Sequence, residues 1–101
     1  MNNNPLEKVI EAKVCKYAKN QGILAYKFTS PNRASVPDRL FITSTGTVFF
    51  IEFKRLGRVP TPGQEREIQR IRDTGVPVFV VDDPGAGEMV INMMLGAKVA
   101  K

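Results

Sequence analysis

Residues Val36 to Arg55 read VPDRLFITSTGTVFFIEFKR, and the way this stretch folds decides the rest of the chain. Its segments Arg39 to Thr43 and Thr47 to Phe53 are apolar, β-branched and aromatic, the composition of strands. Ser44-Thr45-Gly46 lies between them and suits a short hairpin connection. The pair therefore predicts an antiparallel hairpin folded about Thr45-Gly46. Thr47 to Phe53 is apolar on both faces, as in a central strand. Yet Glu52 and Lys54 sit there, two residues apart and so on one face, with Phe53 on the other. Burying a lone ionised group costs on the order of several kcal/mol, so something must compensate.

Folding the hairpin brings Asp38 to its open end, opposite the region of Glu52 and Phe53. Two carboxylates from neighbouring strands repel unless a pKa rises or a cation sits between them. Lys54 offers one positive charge, and a divalent metal offers two. The plainer alternative is a structural Glu52–Lys54 pair, partly solvated at the strand end. If a metal is held, its ligands are carboxylate and carbonyl oxygens, which select Mg²⁺ or Mn²⁺. The chain has no histidine, which removes imidazole as a general base and the usual zinc ligand sets.

Outward from the hairpin, Pro5 to Asn20 predicts a helix. Leu6, Val9, Ile10, Val14, Tyr17 and Ala18 recur at three- and four-residue steps, and Gly22 suits its end. Glu7 and Glu11 flank that apolar stripe, and either could reach the sheet edge or remain a solvated charge. Ile23 to Thr29 predicts a strand, and SPNRASVP, residues 30–37, a loop. Thr61-Pro62-Gly63-Gln64 predicts a helix start, with Thr61 as N-cap and Gln64 able to close a capping box. That helix runs to about Thr74, with Ile68 and Ile71 inward. Val76 to Val81 predicts a core strand whose start, at Pro77, lies near an edge. Asp82 to Gly87 is expected to turn the chain, and Glu88 to Lys98 to form a last helix. The order α-β-β-β-α-β-α implies an α/β fold, a mixed sheet flanked by helices.

The 101 residues suit one domain, 1–101, and a hydrophobic fraction of 43% permits a packed core. The formal net charge of +5 favours a polyanionic partner, most simply nucleic acid. A single cysteine, Cys15, excludes an internal disulfide and fits a reducing compartment. No apolar run is long enough to span a membrane, and the start MNNNPLEKVIEAKV lacks a signal-peptide core. A cytoplasmic protein of a bacterial or phage-infected cell is expected. Lys27, Arg33, Arg39, Arg55 and Arg58 cluster around the hairpin in sequence, where they form either a solvated rim or a phosphate track. Ser30 and Asn32 could add neutral phosphate contacts. Tyr26 and Phe28 are expected to pack rather than stack on bases. Met89, Met93 and Met94 are spaced like a core or dimer face.

Pro37-Asp38, thirteen intervening residues, then Glu52-Phe53-Lys54 resembles the PD-(D/E)xK nuclease signature. The segments KFTSPNRASVPDRLFI, GTVFFIEFKR and TPGQEREIQRIRDTGVPVFVVD extend the likeness to the VRR-NUC family, the virus-type replication–repair nucleases. The resemblance runs from about Leu6 to Asp83. It implies a restriction-endonuclease-like core and metal-dependent phosphodiester hydrolysis on branched or otherwise structured DNA, with small stand-alone members resembling Holliday-junction resolvases and acting as homodimers. Carried over by position, it makes Asp38 and Glu52 metal ligands, with the Phe53 carbonyl as a third and Lys54 as the catalytic lysine. It also brings Gln64 to the site. A first-helix glutamate lies eleven residues before the helix-ending glycine in archaeal-type resolvases, and that count from Gly22 selects Glu11. A two-fold dimer would present two sites to a four-way junction, with the last helix and Val76 to Val81 as interface elements. Competing expectations are a nicking or flap nuclease with the same site, and a basic DNA-binding module without catalysis.

Overall fold

The computed structural model describes residues 5–99, and the side chains of 6–96. Met1 to Asn4, the start of the stretch expected to lack a signal-peptide core, lie outside the described residues. The elements follow the expected order: α1 (Pro5–Asn20), β1 (Leu24–Lys27), β2 (Arg39–Ile42), β3 (Val48–Phe53), α2 (Pro62–Arg72), β4 (Val78–Val81) and α3 (Pro84–Val99). They form one four-stranded sheet in the order β1-β2-β3-β4. The pairs β1–β2 and β2–β3 are antiparallel and β3–β4 is parallel. The mixed sheet thus follows from one hairpin continued by one helical crossover.

The hairpin pairs Arg39 with Ile51 and Ile42 with Val48. Gly46 closes it with φ +89, a left-handed conformation that glycine adopts without steric cost. This register sends Phe41, Phe49, Ile51 and Phe53 to one face of the sheet, all fully buried. Phe41 and Phe49 stack with centroids 5.0 Å apart. Ile10, Val14 and Ala18 of α1 meet them, with Ile91 and Met94 of α3. The buried line on α1 is i, i+4, i+8, and Leu6 and Val9, expected in the stripe, stay exposed. Val9 lies about 100° around the helix from Ile10, outside the buried line.

The opposite face carries Leu40, Phe50 and Glu52, and α2 covers its β3–β4 side through buried Ile68. Leu24, Tyr26 and Val48 remain exposed on the part that α2 leaves open. β4 is an edge strand, as Pro77 implied. Arg72 donates from Nε (3.0 Å) and Nη2 (2.7 Å) to the Val78 carbonyl, which guards that edge.

One boundary differs from expectation. α3 starts at Pro84, so the expected turn over Asp82 to Gly87 is mostly helix. The glycines of PGAG suggested a turn, but Asp83 accepts from the Ala86 N–H at 3.0 Å and Pro84 takes the first helical position. Gly87 is needed there, because a Cβ would lie 2.3 Å from Val14 Cγ2 on α1. The methionines divide, with Met94 buried and Met89 and Met93 exposed. Among the described residues no helix is long and apolar enough to cross a membrane.

Candidate active site

The site begins with the hairpin register. Because Arg39 pairs with Ile51, Asp38 falls across from the end of β3. There its Oδ2 accepts the Phe53 backbone N–H at 2.8 Å. Asp38 and Glu52 thereby share one face at the open end of β2–β3. Phe53 presents its backbone to this end and buries its ring on the other face.

Glu52 is 2% exposed, the most buried charged residue of the core. Its Oε2 receives Gln64 Nε2 at 2.9 Å and lies 3.4 Å from Lys54 Nζ. Burial pushes its pKa up to about 7, the negative charge of Asp38 pushes the same way, and Lys54 only partly offsets them. Burial also raises Asp38, against the lowering effect of the Phe53 N–H. Two neighbouring carboxylates held above their ordinary range form a site short of positive charge.

Gln64 performs two tasks. Its Oε1 accepts the Thr61 N–H at 2.9 Å, and the Thr61 Oγ1 accepts the Gln64 N–H at 3.1 Å, the capping box expected from sequence. Its amide nitrogen is then aimed at Glu52. Capping and site contact are compatible because they use opposite ends of one amide.

The two first-helix glutamates separate. Glu11 Oε2 binds Arg39 Nε at 2.6 Å, in a partly buried pair on the α1 side of the sheet. Glu7 lines a cleft of about 410 Å³ together with Lys54, Arg55, Arg58, Val59 and Thr61. Burial raises the Glu7 pKa, followed by the charge of Asp38, which places it in the same electrostatic field. The count from Gly22 selects Glu11, whose charge also raises Asp38, but the glutamate that lines the cleft is Glu7.

The expected phosphate-binding residues do not form one continuous patch. Arg55 and Arg58 border the cleft. Lys27 faces Arg39 across β1–β2, beside Glu11. Ser30 and Arg33 lie against α2, where Arg33 Nη1 meets Glu67 Oε1 at 3.2 Å. Arg66 and Arg70 join Arg33 there, and sequence reasoning passed over both. Their i, i+4 spacing on a helix following Gln64 was the available signal. Burial raises the Cys15 thiol, which keeps it protonated and unreactive.

The donor set fits a hard divalent cation: carboxylate oxygens, no thiolate or imidazole, and two carboxyl groups whose ionisation a cation would favour. Among the described residues no three Asp, Glu, Cys or His side chains converge as a ready-made metal cage. A cation here would thus draw on two side chains, backbone and water.

No protein-family model matches the chain. A protein named "Putative nuclease p44", from Acyrthosiphon pisum secondary endosymbiont phage 1, is 42% identical over 76 residues, 75% of this chain and 82% of its own. A solved structure described as a VRR_NUC domain superposes with a TM-score of 0.81 at 30% identity, over 86% of this chain and 95% of that one. With the mixed four-stranded sheet and its flanking helices, these likenesses establish that the chain belongs to the VRR-NUC family, the virus-type replication–repair nucleases.

Proposed function

We propose that this VRR-NUC protein is a Mg²⁺- or Mn²⁺-dependent, structure-selective DNA endonuclease, acting on four-way junctions as a homodimer in the cytoplasm of a bacterial or phage-infected cell. The observation that carries this is the juncture of Asp38, Glu52 and Lys54 at the β2–β3 end, two pKa-raised carboxylates beside one ammonium.

In this reading the Asp38 and Glu52 carboxylates and the Phe53 carbonyl would hold the metal. When bound, the metal supplies positive charge to a phosphate oxygen and lowers the pKa of a water. The chain's own groups do the rest. Lys54 stabilises negative charge developing on the phosphate. Gln64 fixes Glu52 so that its carboxylate does not swing toward solvent. Glu7 faces Asp38 and Lys54 from α1, and Glu11 holds Arg39 in place. In the hydrolysis the water oxygen bonds to phosphorus, one ester bond breaks, and the leaving oxygen takes a proton. Arg55 and Arg58 beside the cleft contact phosphates next to the cleaved one. Lys27, Ser30, Arg33 and Arg39 extend the contacts outward, fixing position without reading sequence.

Exposed Leu24, Tyr26 and Val48, with Met89 and Met93 on α3, support a second copy as partner. The outer edge of β4, expected in that interface, is occupied at Val78 by Arg72.

The test is cleavage of a labelled four-way junction, a flap, a linear duplex and a single strand with Mg²⁺, Mn²⁺ or EDTA. Junction cleavage is expected, stopped by EDTA and lowered by at least about 10²-fold in Asp38→Ala and Lys54→Ala. Cleavage of flaps but never junctions would identify the flap-type nuclease. Junction binding with no cleavage under any metal would leave a DNA-binding module and refute the endonuclease.

A further inference from the structure

Two cavities lie side by side against α2, outside the carboxylate cleft. The first, of about 300 Å³, is lined by Asn32, Ser35, Gly63 and Arg66. The second, of about 420 Å³, has a mostly apolar lining that includes Phe28, Phe50, Val36 and Ile71. Arg33, Glu67 and Arg70 border both. Arg33 Nη1 and Arg70 Nε meet the single oxygen Glu67 Oε1 at 3.2 and 3.3 Å. Two guanidiniums thus share one carboxylate, and the shared wall keeps an excess of positive charge to which Arg66 adds in the first cavity.

Gly63 is informative. It sits in the first turn of α2, where alanine would favour the helix by about 0.5–1 kcal/mol. A Cβ there would project into the first cavity, 3.2 Å from Ser35 Oγ and 3.8 Å from Arg66 Nη2. The missing side chain keeps open the space that the arginine and the hydroxyl face.

The apolar cavity is equally specific in kind. Phe28 and Phe50 are tilted rings with centroids 5.0 Å apart, each only partly buried. Such rings beside guanidiniums accept the π-face of a nucleobase. A base inside a paired duplex has its faces covered by its neighbours and cannot enter. A base that has left the stack can.

We propose that the two cavities form one subsite for a single unpaired nucleotide, its phosphate between Arg66, Arg33 and Ser35 and its base on Phe28 and Phe50. This rests on the nuclease reading and gives it a structural preference. Gly63 directly precedes Gln64, whose amide holds Glu52. The captured nucleotide therefore flanks the phosphodiester presented to Asp38 and Glu52. Substrates that offer an unpaired base there, at a bulge or an open branch point, gain a contact that a continuous duplex lacks.

The probe is 2-aminopurine, placed as the unpaired nucleotide of a bulged duplex or paired with thymine in a continuous one. Wild-type protein is titrated in EDTA, so that cleavage plays no part. The bulged duplex is expected to give a saturable fluorescence change and the continuous duplex none. Phe28→Ala, Arg66→Ala and Gly63→Ala should each weaken the bulge response on the order of tenfold. Arg66 is exposed and alanine suits a helix at position 63, so those two variants test the subsite even if Phe28→Ala misfolds. An equal response from both duplexes, or one unmoved by Arg66→Ala and Gly63→Ala, overturns the subsite. So does light scattering in which Phe28→Ala alters only the dimer content, since the hollow is then covered by a second copy. Cleavage with Mg²⁺ but no base response refutes the subsite alone. A base response without cleavage refutes the nuclease alone.

Discussion

Replacing Glu52 by glutamine should abolish a pH-dependent loss of stability that the metal-free protein otherwise carries. Glu52 is 2% exposed, and its pKa lies at about 7 in the folded chain against an ordinary 4.5. A carboxyl raised on folding stabilises the protein fully below its unfolded pKa and loses that contribution as pH rises through the folded one. The difference between about 7 and 4.5, at about 1.4 kcal/mol per pK unit, amounts to about 3 kcal/mol. Most of it is lost between pH 5 and pH 8. The assay is urea unfolding of wild type and Glu52→Gln in EDTA at pH 5, 6, 7 and 8. Groups remote from Glu52 titrate alike in both proteins and cancel, so the difference reports Glu52 together with its coupling to Asp38 and Lys54. Glutamine can still accept from Gln64 and Lys54 and never ionises. The variant should gain on wild type with each step in pH, by about 2–3 kcal/mol of unfolding free energy across the range. A difference constant within about 0.5 kcal/mol from pH 5 to 8 would show that Glu52 is not held in its protonated form, and the electrostatic argument for a cation would fall with it.

The other expectations are simpler. Gly87→Ala forces a Cβ to within 2.3 Å of Val14 Cγ2 and should destabilise by about 1–3 kcal/mol, whereas Gly96→Ala on the same helix meets nothing within 4 Å and should stabilise by about 0.5–1 kcal/mol. Thermal melts of the two variants check both signs. Gln64→Ala loses the capping box and the Glu52 contact together and should cost about 1–2 kcal/mol in urea unfolding. Gln64→Glu keeps the box but replaces the donor by a third carboxyl against Glu52, so it should lose stability as pH rises and cleave far less. Glu11→Gln should weaken its partly buried pair with Arg39, costing about 1 kcal/mol, yet retain more Mg²⁺-dependent cleavage than Glu7→Gln, which alters the cleft itself. Equal activity in the two variants would refute that division.

The elements and the register that matters are legible in the residues alone. Apolar periodicity set α1 at its exact span, and the β-branched runs around Ser44-Thr45-Gly46 set the hairpin, because period and turn chemistry are local properties. A two-residue pleat put Glu52 and Lys54 on one face, and the hairpin count brought Asp38 to them, as the 2.8 Å bond to the Phe53 N–H bears out geometrically. Even the capping box was legible. Tertiary structure decided what spacing cannot. Glu7 and Glu11 lie one helical turn apart and look alike along the chain; only the packing of α1 over the sheet gives one to Arg39 and the other to the cleft. The start of α3 differs from the expected turn because Gly87 serves close helix packing against Val14, a contact between residues 73 positions apart. Arg66 and Arg70 gained their setting only when α2 folded back onto the loop at Asn32. Local chemistry chooses elements and pairs neighbours, whereas a site joining four segments of chain exists only once they are packed together.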